Sequence, residues 1–425
     1  MLMNKKLLPL FAAAFLATAP AHADEAELRA KLERLANEVE ALKAELKALN
    51  TKTEAVAAAQ EAAPAPAVAA LDTLAQQTTF FGYGEVNYSR PSRASGDAQA
   101  DVRRAVLGFG HRFDADTRLV AELEWEHAIV SADDQGESEV EQFYIDHRIN
   151  NFLNIKTGLF LIPSGLLNQS HEPTRYFGVE RNFVETAIIP TTWREGGIGL
   201  YGSTDIGLAW DVGVTTGFNL GKWDAAATEG QESPLGSIHQ ELQLARARDL
   251  AVYGALNYNG VPGLNLGGSV FSGGAGQGNA GFAAPDARVT LWDVHGRWQH
   301  GPLQISALYA RGMISNTDAL NLTFAGQPTL VPKSFSGWYT EASYRAWQHG
   351  NYAITPFARY ELYNTASAYD ATAQGLGAVT GPNQKVWTYG TSFNIHPQVV
   401  FKADLQNFPE DGARNRFNLG LGLMF

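Results

Sequence analysis

The chain has 425 residues, 45% of them hydrophobic, with 42 glycines, 11% aromatics and a formal charge of −12. That length holds either more than one ordinary domain or one long unit of turn-punctuated strands. Cysteine is absent, which excludes disulfides and thiolate metal sites, and the slightly negative mean hydropathy suits half-apolar strands joined by polar loops.

Lys5 and Lys6 precede an apolar run from Leu7 to Ala19, and Ala21-His22-Ala23 forms a small-residue cleavage pattern before Asp24. Residues 1–23 therefore read as a secretory signal peptide, the run being shorter than the ~20 apolar residues of a spanning helix. No other window has such a helix's length and apolarity. If the exported chain spans a membrane it must do so as a closed barrel, since only helices and barrels satisfy every backbone group in lipid.

Residues 24–50 carry Leu28, Leu32, Leu35, Val39, Leu42, Leu46 and Leu49 at alternating steps of four and three, the a/d seam of a short coiled-coil helix. With Leu32, Val39 and Leu46 at a, Glu38 falls at g and Lys43 at the next e, a pairing that favours parallel chains and hence an oligomer. So short a seam is marginal, and a lone amphipathic helix lying on the barrel or the membrane surface is the alternative. Residues 51–77, with Glu61-Ala62-Ala63-Pro64-Ala65-Pro66, read as a semi-rigid periplasmic linker.

From 78 to 425 the pattern has period two. Leu119, Ala121, Leu123 and Trp125 alternate with Arg118, Glu122, Glu124 and Glu126, and three acids on one face require water. A second row, Ile206, Leu208, Trp210, Val212, Val214, Thr216 and Phe218, is long enough to cross a bilayer as a tilted strand of ~10 residues. Further strands are predicted near 80–90, 101–113, 138–149, 153–161, 194–203, 250–259, 263–272, 287–299, 302–312, 335–347, 351–363, 384–395, 398–407 and 414–425. Sixteen in all predict an all-β fold, a 16-stranded antiparallel transmembrane β-barrel preceded by the coiled-coil helix, wide enough for an aqueous channel. Ala115-Asp116 and Val261-Pro262-Gly263 read as short periplasmic turns, and 131–137 and 316–334 as extracellular loops. Trp125, Trp210, Trp338 and Tyr344 are candidates for aromatic girdles, with packing against a neighbouring subunit as the alternative.

Two connections are too long for turns. Residues 238–249 carry Ile238, Leu242 and Ala245 at helical spacing and predict a loop helix. Residues 162–193 contain His171, Glu172, Arg175, Glu180, Arg181 and Glu185, with Arg194 just beyond. An insertion this long folds over something or into something. Folded into a wide barrel it narrows the pore, and its charges then set which ions pass; an external cap or a trimer-contact loop is the alternative. At the far end Phe417, Leu419, Leu421, Leu423 and Phe425 share one face. A final strand ending in Phe resembles the closing strand of bacterial outer-membrane barrels.

The order of signal peptide, Leu-heptad helix, alanine/proline linker and barrel resembles the phosphate-selective (polyphosphate) porin family of Gram-negative outer membranes, over nearly the whole mature chain. Arg103-Arg104-Ala105-Val106-Leu107-Gly108-Phe109-Gly110 resembles that family's early strand motif. Gly158-Leu159-Phe160 with Pro163-Ser164-Gly165 resembles the entry to its inward-folded loop. The resemblance implies a homotrimer, each barrel with its own pore, set among outer-membrane lipid and lipopolysaccharide with the coil in the periplasm. It also implies anionic, phosphate-like solutes, selected in that family by pore lysines and an arginine ladder. Here the barrel's lysines are only Lys156, Lys222, Lys333, Lys385 and Lys402, and from Thr78 onward 24 basic face 34 acidic residues, a balance of −10. Arg175, Arg181 and Arg194 set against a wall of Arg118, Glu122, Glu124 and Glu126 predict a transverse field that orients dipolar solutes.

No catalytic, metal or cofactor site is expected. His171-Glu172 lacks a second histidine four residues on and is followed by Pro173, and no Ser/His pair is preferred by spacing. Residues 273–281 lack the Lys-Ser/Thr ending of a phosphate loop and read as a flexible external tip. The acidic run Asp133, Asp134, Glu137, Glu139 and Glu141 reads as a solvated loop, with binding of calcium or lipopolysaccharide-bridging cations as the alternative. No nucleic-acid partner is expected. The expected function is an outer-membrane porin for passive diffusion of small hydrophilic solutes. The alternative is a structural or adhesive barrel tethered through its coil, with peptidoglycan as its partner.

Overall fold

The computed structural model describes residues 77–425 together with Glu33, Asn37, Glu40, Ala41, Lys43, Ala44 and Lys47. Those seven are helical and exposed, and Lys43 Nζ pairs with Glu40 of the same helix at 3.0 Å. The seam positions Leu28, Leu32, Leu35, Val39, Leu42, Leu46 and Leu49, Glu38 and the signal-peptide residues lie outside the described residues.

The remainder is one antiparallel sheet closed on itself. Its segments are β1 (Thr78–Pro91), β2 (Gln99–Arg112), β3 (Thr117–Glu126), β4 (Glu137–Asn150), β5 (Leu153–Leu161), β6 (Arg194–Ser203), β7 (Leu208–Thr215), β8 (Ala251–Tyr258) and β9 (Leu264–Gly274). They continue as β10 (Arg288–His300), β11 (Leu303–Ser315), β12 (Ser334–Tyr344), β13 (Trp347–His349), β14 (Tyr352–Ala368), β15 (Gln384–His396), β16 (Val399–Asn407) and β17 (Arg416–Met424). β12 and β13 both pair with β14 and make one crossing interrupted at Arg345 and Ala346, so the wall has 16 crossings. β1 and β17 close it in register from Tyr83↔Met424 to Pro91↔Arg416. Phe425 and Gly82 exchange backbone hydrogen bonds of 2.9 and 3.1 Å. Closure leaves no unpaired edge, the condition for a sheet to sit in hydrocarbon. Among the described residues no helix is long and apolar enough to cross a membrane.

Period two sorts the side chains. On β17 Phe417, Leu419 and Leu423 are exposed on the outer face while Asn418 and Gly422 are buried on the inner one. On β3 Trp125 is exposed outside and Glu124 buried inside. Trp298, Tyr344, Trp347 and Tyr352 are exposed near the short-turn end, where an aromatic girdle belongs. Connections alternate in length: 113–116, 151–152 and 397–398 are short at one end, whereas 162–193, 216–250, 275–287, 316–333 and 369–383 are long at the other.

The 16 predicted strands match these crossings, with the largest boundary errors at β14, which runs five residues past the predicted 363 to Ala368, and at β7. The apolar row of 205–219 leaves the wall after Thr215; Thr216 and Phe218 turn inward and are buried. Nor do residues 238–249 form the predicted helix, for Glu241, Leu242 and Leu244 have φ of +51°, +57° and +50°, a left-handed backbone that breaks the repeat. The 273–281 stretch is not an external tip: Gly273 and Gly274 complete β9, and Ala275 and Gln277 are buried, with Gln277 Nε2 donating to the Phe218 carbonyl at 3.1 Å.

The long-loop end of the interior holds an apolar core that the sequence reading did not anticipate. Ile162, Ile188, Trp193, Phe218, Leu220, Trp223 and Ile238 from the connections pack against Tyr253, Phe271, Leu291, Leu308 and Tyr339 of the wall. Trp193 stacks on Phe218 at 5.3 Å and meets Phe271 edge-on at 4.6 Å. These residues are buried inside the cylinder, away from both of its surfaces.

Candidate pore constriction

The segment 162–193 folds into the barrel and is fastened to the wall on several sides. At its entry Ser164 Oγ and the Gly165 amide donate to Asp293 of β10 at 3.2 and 3.1 Å. The Leu166 and Leu167 amides donate to Glu185 Oε1 at 2.6 and 2.7 Å, and Asn182 Nδ2 and the Tyr339 hydroxyl to Oε2 at 2.8 and 2.9 Å. Gly165 has φ +71°, and a Cβ there would stand 2.3 Å from Glu185 Oε1; only glycine lets the chain turn so close to the carboxylate. Burial raises the Glu185 carboxyl above its ordinary range, and the four donors offset part of that rise.

Further along, the Tyr176 hydroxyl donates to Glu85 of β1 at 2.7 Å, and the Val179 amide to Asp404 of β16 at 2.6 Å. The Phe183 amide donates to Glu361 of β14 at 2.6 Å. Asn87 Nδ2 donates to Glu180 at 3.0 Å, and burial followed by the nearby Glu85 charge raises the Glu180 carboxyl. β17 admits this approach because its inner face is small: a Cβ on Gly422 would lie 2.6 Å from Pro173.

The predicted site residues divide into anchors and exposed charges. His171 is buried, with Nε2 2.7 Å from Glu141 Oε1 and Nδ1 donating to the Asn168 carbonyl at 2.9 Å. Glu141 occupies a bulge in β4 and also accepts from the Tyr83 hydroxyl at 2.9 Å. Arg181 donates to the Thr191 hydroxyl, to Thr192 Oγ1 at 2.8 Å and to the His171 carbonyl at 3.2 Å. Arg194 pairs with Glu139 and, at 3.3 Å, with Glu241. His171, Glu180, Arg181, Glu185 and Arg194 thus hold the segment in place, and of the three arginines expected at the constriction Arg181 and Arg194 are buried. Arg175 keeps 57% of its side-chain surface, 3.9 Å from the half-buried Glu172.

Of the predicted wall, Glu124 is buried and bonded to Arg104 at 3.1 Å, whereas Glu126 is partly exposed, 3.3 Å from the same arginine. Glu122 accepts from Gln142 at 2.8 Å. Arg118 is 49% exposed and bound to Asp146 at 2.6 Å. The acids expected in a solvated loop are mostly wall residues, Glu139 and Glu141 facing inward on β4. The partly exposed charges are Arg118 and Glu126 of β3, Glu139 of β4, and Glu172 and Arg175 of the segment. The wall β14–β17, which joins β2 through β1, is covered by the segment.

Reading the sequence alone missed the buried charges that the wall turns toward the segment: Glu85 of β1, Asp293 of β10, Glu341 of β12, Arg359 and Glu361 of β14, and Lys402 and Asp404 of β16. The available signal was a charge in the middle of an otherwise apolar-alternating strand, where lipid lies on one side and a partner is needed on the other.

No family model matches the chain. An uncharacterized protein of Aquifex aeolicus (strain VF5) is 27% identical over 348 residues, 80% of this chain and 77% of that one. OmpF of Salmonella typhi, solved in complex with daunomycin, matches with a TM-score of 0.57 at 14% identity, over 82% of this chain and 97% of that one. DcaP, an outer membrane channel of Acinetobacter baumannii, matches with a TM-score of 0.50 at 12% identity, over 82% and 97%. An OmpT loop-deletion mutant of Vibrio cholerae, an outer membrane protein, gives 0.50 at 11% identity, over 82% and 99%. The barrel fold of this chain is the one found in these bacterial outer-membrane proteins.

Proposed function

We propose that the chain forms a water-filled channel in the outer membrane of a Gram-negative bacterium, through which small hydrophilic solutes diffuse passively. The observation that carries this reading is the segment 162–193, fastened across the interior of a closed 16-crossing wall and leaving exposed charges on its free side. A narrowed aqueous path of this kind sorts solutes by size and sign without a conformational cycle. DcaP, whose fold this chain shares, is an outer membrane channel, which supports the reading. In the same proposal residues 1–23 are the signal peptide, 24–50 a periplasmic coil that gathers three copies, 51–77 a linker and 78–425 the pore.

Within it Arg175 is the cation that solutes meet, beside Glu172, while the other segment residues named above position the segment. A preference for anionic, phosphate-like solutes rests on Arg175; the Glu172 carboxylate beside it works against it. The test is reversal potential across planar bilayers in a salt gradient, where Arg175→Ala shifts selectivity toward cations at unchanged stability. The same selectivity in Arg175→Ala removes Arg175 from the role. The apolar core inside the barrel favours the second reading, a structural or adhesive barrel tethered by its coil. A purified protein that gives no stepwise conductance, yet stays with peptidoglycan, decides for that reading.

A further inference from the structure

A cavity of about 460 Å³ opens at the long-loop end, between the 316–333 and 369–383 connections and beside Gln231. Its volume suits a small organic solute. No Asp, Glu, Lys, Arg or His lines it. Two kinds of side chain line it: apolar ones, among them Leu330 and Leu376 with Tyr369, and a polar rim of the amides Gln231, Gln327 and Gln384.

The rim is held in place. Asn364 Nδ2 donates to the Gly381 carbonyl at 2.8 Å and to Asn383 Oδ1 at 3.1 Å, and Asn364 Oδ1 accepts from the Ala366 amide at 2.8 Å. Gln231 Nε2 donates to Thr329 Oγ1 at 2.8 Å and to the Pro328 carbonyl at 3.2 Å, which leaves its carbonyl oxygen as an acceptor for a solute. Gln384 Oε1 accepts from Arg414 Nη1 at 2.8 Å, which leaves its amide hydrogens as donors. One amide is thus set to accept and another to donate.

A charged solute would lose water here and gain no counter-charge, and an apolar one would leave the amides unpaired. A solute whose hydroxyls both donate and accept, and whose C–H faces are apolar, satisfies both kinds of side chain. We propose that this cavity is an entry-side docking site for neutral saccharides. The proposal names a solute class for the channel reading and rests on that reading only for the word entry.

The test is titration of the full chain in detergent with maltotriose, which needs no conduction, with single-channel recording alongside. Saturable maltotriose binding is expected, not displaced by inorganic phosphate. It is expected to weaken about tenfold or more in Gln231→Ala/Gln384→Ala, the effect of one or two lost neutral hydrogen bonds. Ala378→Arg, a substitution in a lining loop residue, is expected to abolish it at unchanged salt conductance. Absence of saturable binding, displacement by phosphate, or equal affinity in all variants overturns the site. Binding without conductance keeps the site and removes the channel, and conductance without binding does the reverse.

Discussion

The Lys402 ammonium of β16 lies 3.6 Å from the centre of the Tyr176 ring and donates to the Gly178 carbonyl at 2.8 Å. Its hydrogen bond and its ring contact therefore both come from the inward segment, while the hydroxyl of the same tyrosine is bonded to Glu85. Tyr176→Leu removes the ring's negative face and a charge-assisted hydrogen bond together, leaving a buried ammonium and a buried carboxylate each short of a partner. Such contacts are worth about 2 kcal/mol apiece when desolvated. The expected result is faster amide hydrogen exchange across 174–183 with the strands still protected. Unchanged protection of that stretch would mean the segment is held elsewhere.

Arg359 is the centre of the covered wall. Its guanidinium meets Glu341 at 3.1 Å and Glu361 at 2.8 Å, all three inside the barrel, and Glu361 also receives the Phe183 amide. Arg359→Met strands two buried carboxylates, a change that costs about 3–5 kcal/mol. The thermal unfolding midpoint of the detergent-solubilised barrel is expected to fall clearly, and to recover in part when Glu341→Gln and Glu361→Gln are added. No recovery in the triple variant would count against the carboxylates as the cause.

Gly165 tests the entry of the segment. Gly165→Ala forces a Cβ onto a backbone of φ +71° and into Glu185 Oε1. A left-handed non-glycine residue alone costs about 1–2 kcal/mol, and moving the carboxylate weakens the four bonds that close the turn. The segment should swing more freely, giving larger and noisier unitary currents than wild type. Currents identical to wild type would show that the path does not pass this edge.

The wall was legible because its two surroundings repeat every two residues: Leu119, Leu123 and Trp125 outside, Glu122 and Glu124 inside. Ends were less so. Val212 and Val214 continue into Thr216 and Phe218 without a break in alternation, yet the last two bury in the core instead of lipid, because hydrophobicity does not say which apolar medium will cover it. The inward course of 162–193 was legible as one of two options, from its length and mixed charge. What each charge does was not, since Arg194 finds its partners Glu139 and Glu241 far along the chain, and Arg181 turns to Thr192 and the His171 carbonyl of its own segment instead of a carboxylate. The failure of the helix at 238–249 has a local cause: Gln240 binds the Gly217 carbonyl at 2.6 Å and the Arg246 amide at 2.8 Å, and those bonds favour a left-handed strap over helical repeats.

That strap gives a pH dependence. Glu241 Oε1 lies 2.9 Å from His239 Nδ1 and 3.3 Å from Arg194 Nη1. Burial, the largest influence on its carboxyl, pushes the pKa up, but the His239 hydrogen bond and the Arg194 charge outweigh it, and the net position is below the ordinary 4.5. A carboxyl lowered in the folded state contributes stability that is fully present above 4.5 and is lost as pH falls through the lowered value. Acidification below about 4.5 should therefore release residues 239–246 from Arg194 while the wall stays closed. Hydrogen exchange of that stretch, corrected for intrinsic rate, is expected to rise between pH 6 and pH 3 in wild type. Glu241→Gln, which cannot lose a charge, should exchange quickly at both values. Equal protection at both pH values in wild type would show that the strap is held without its carboxylate.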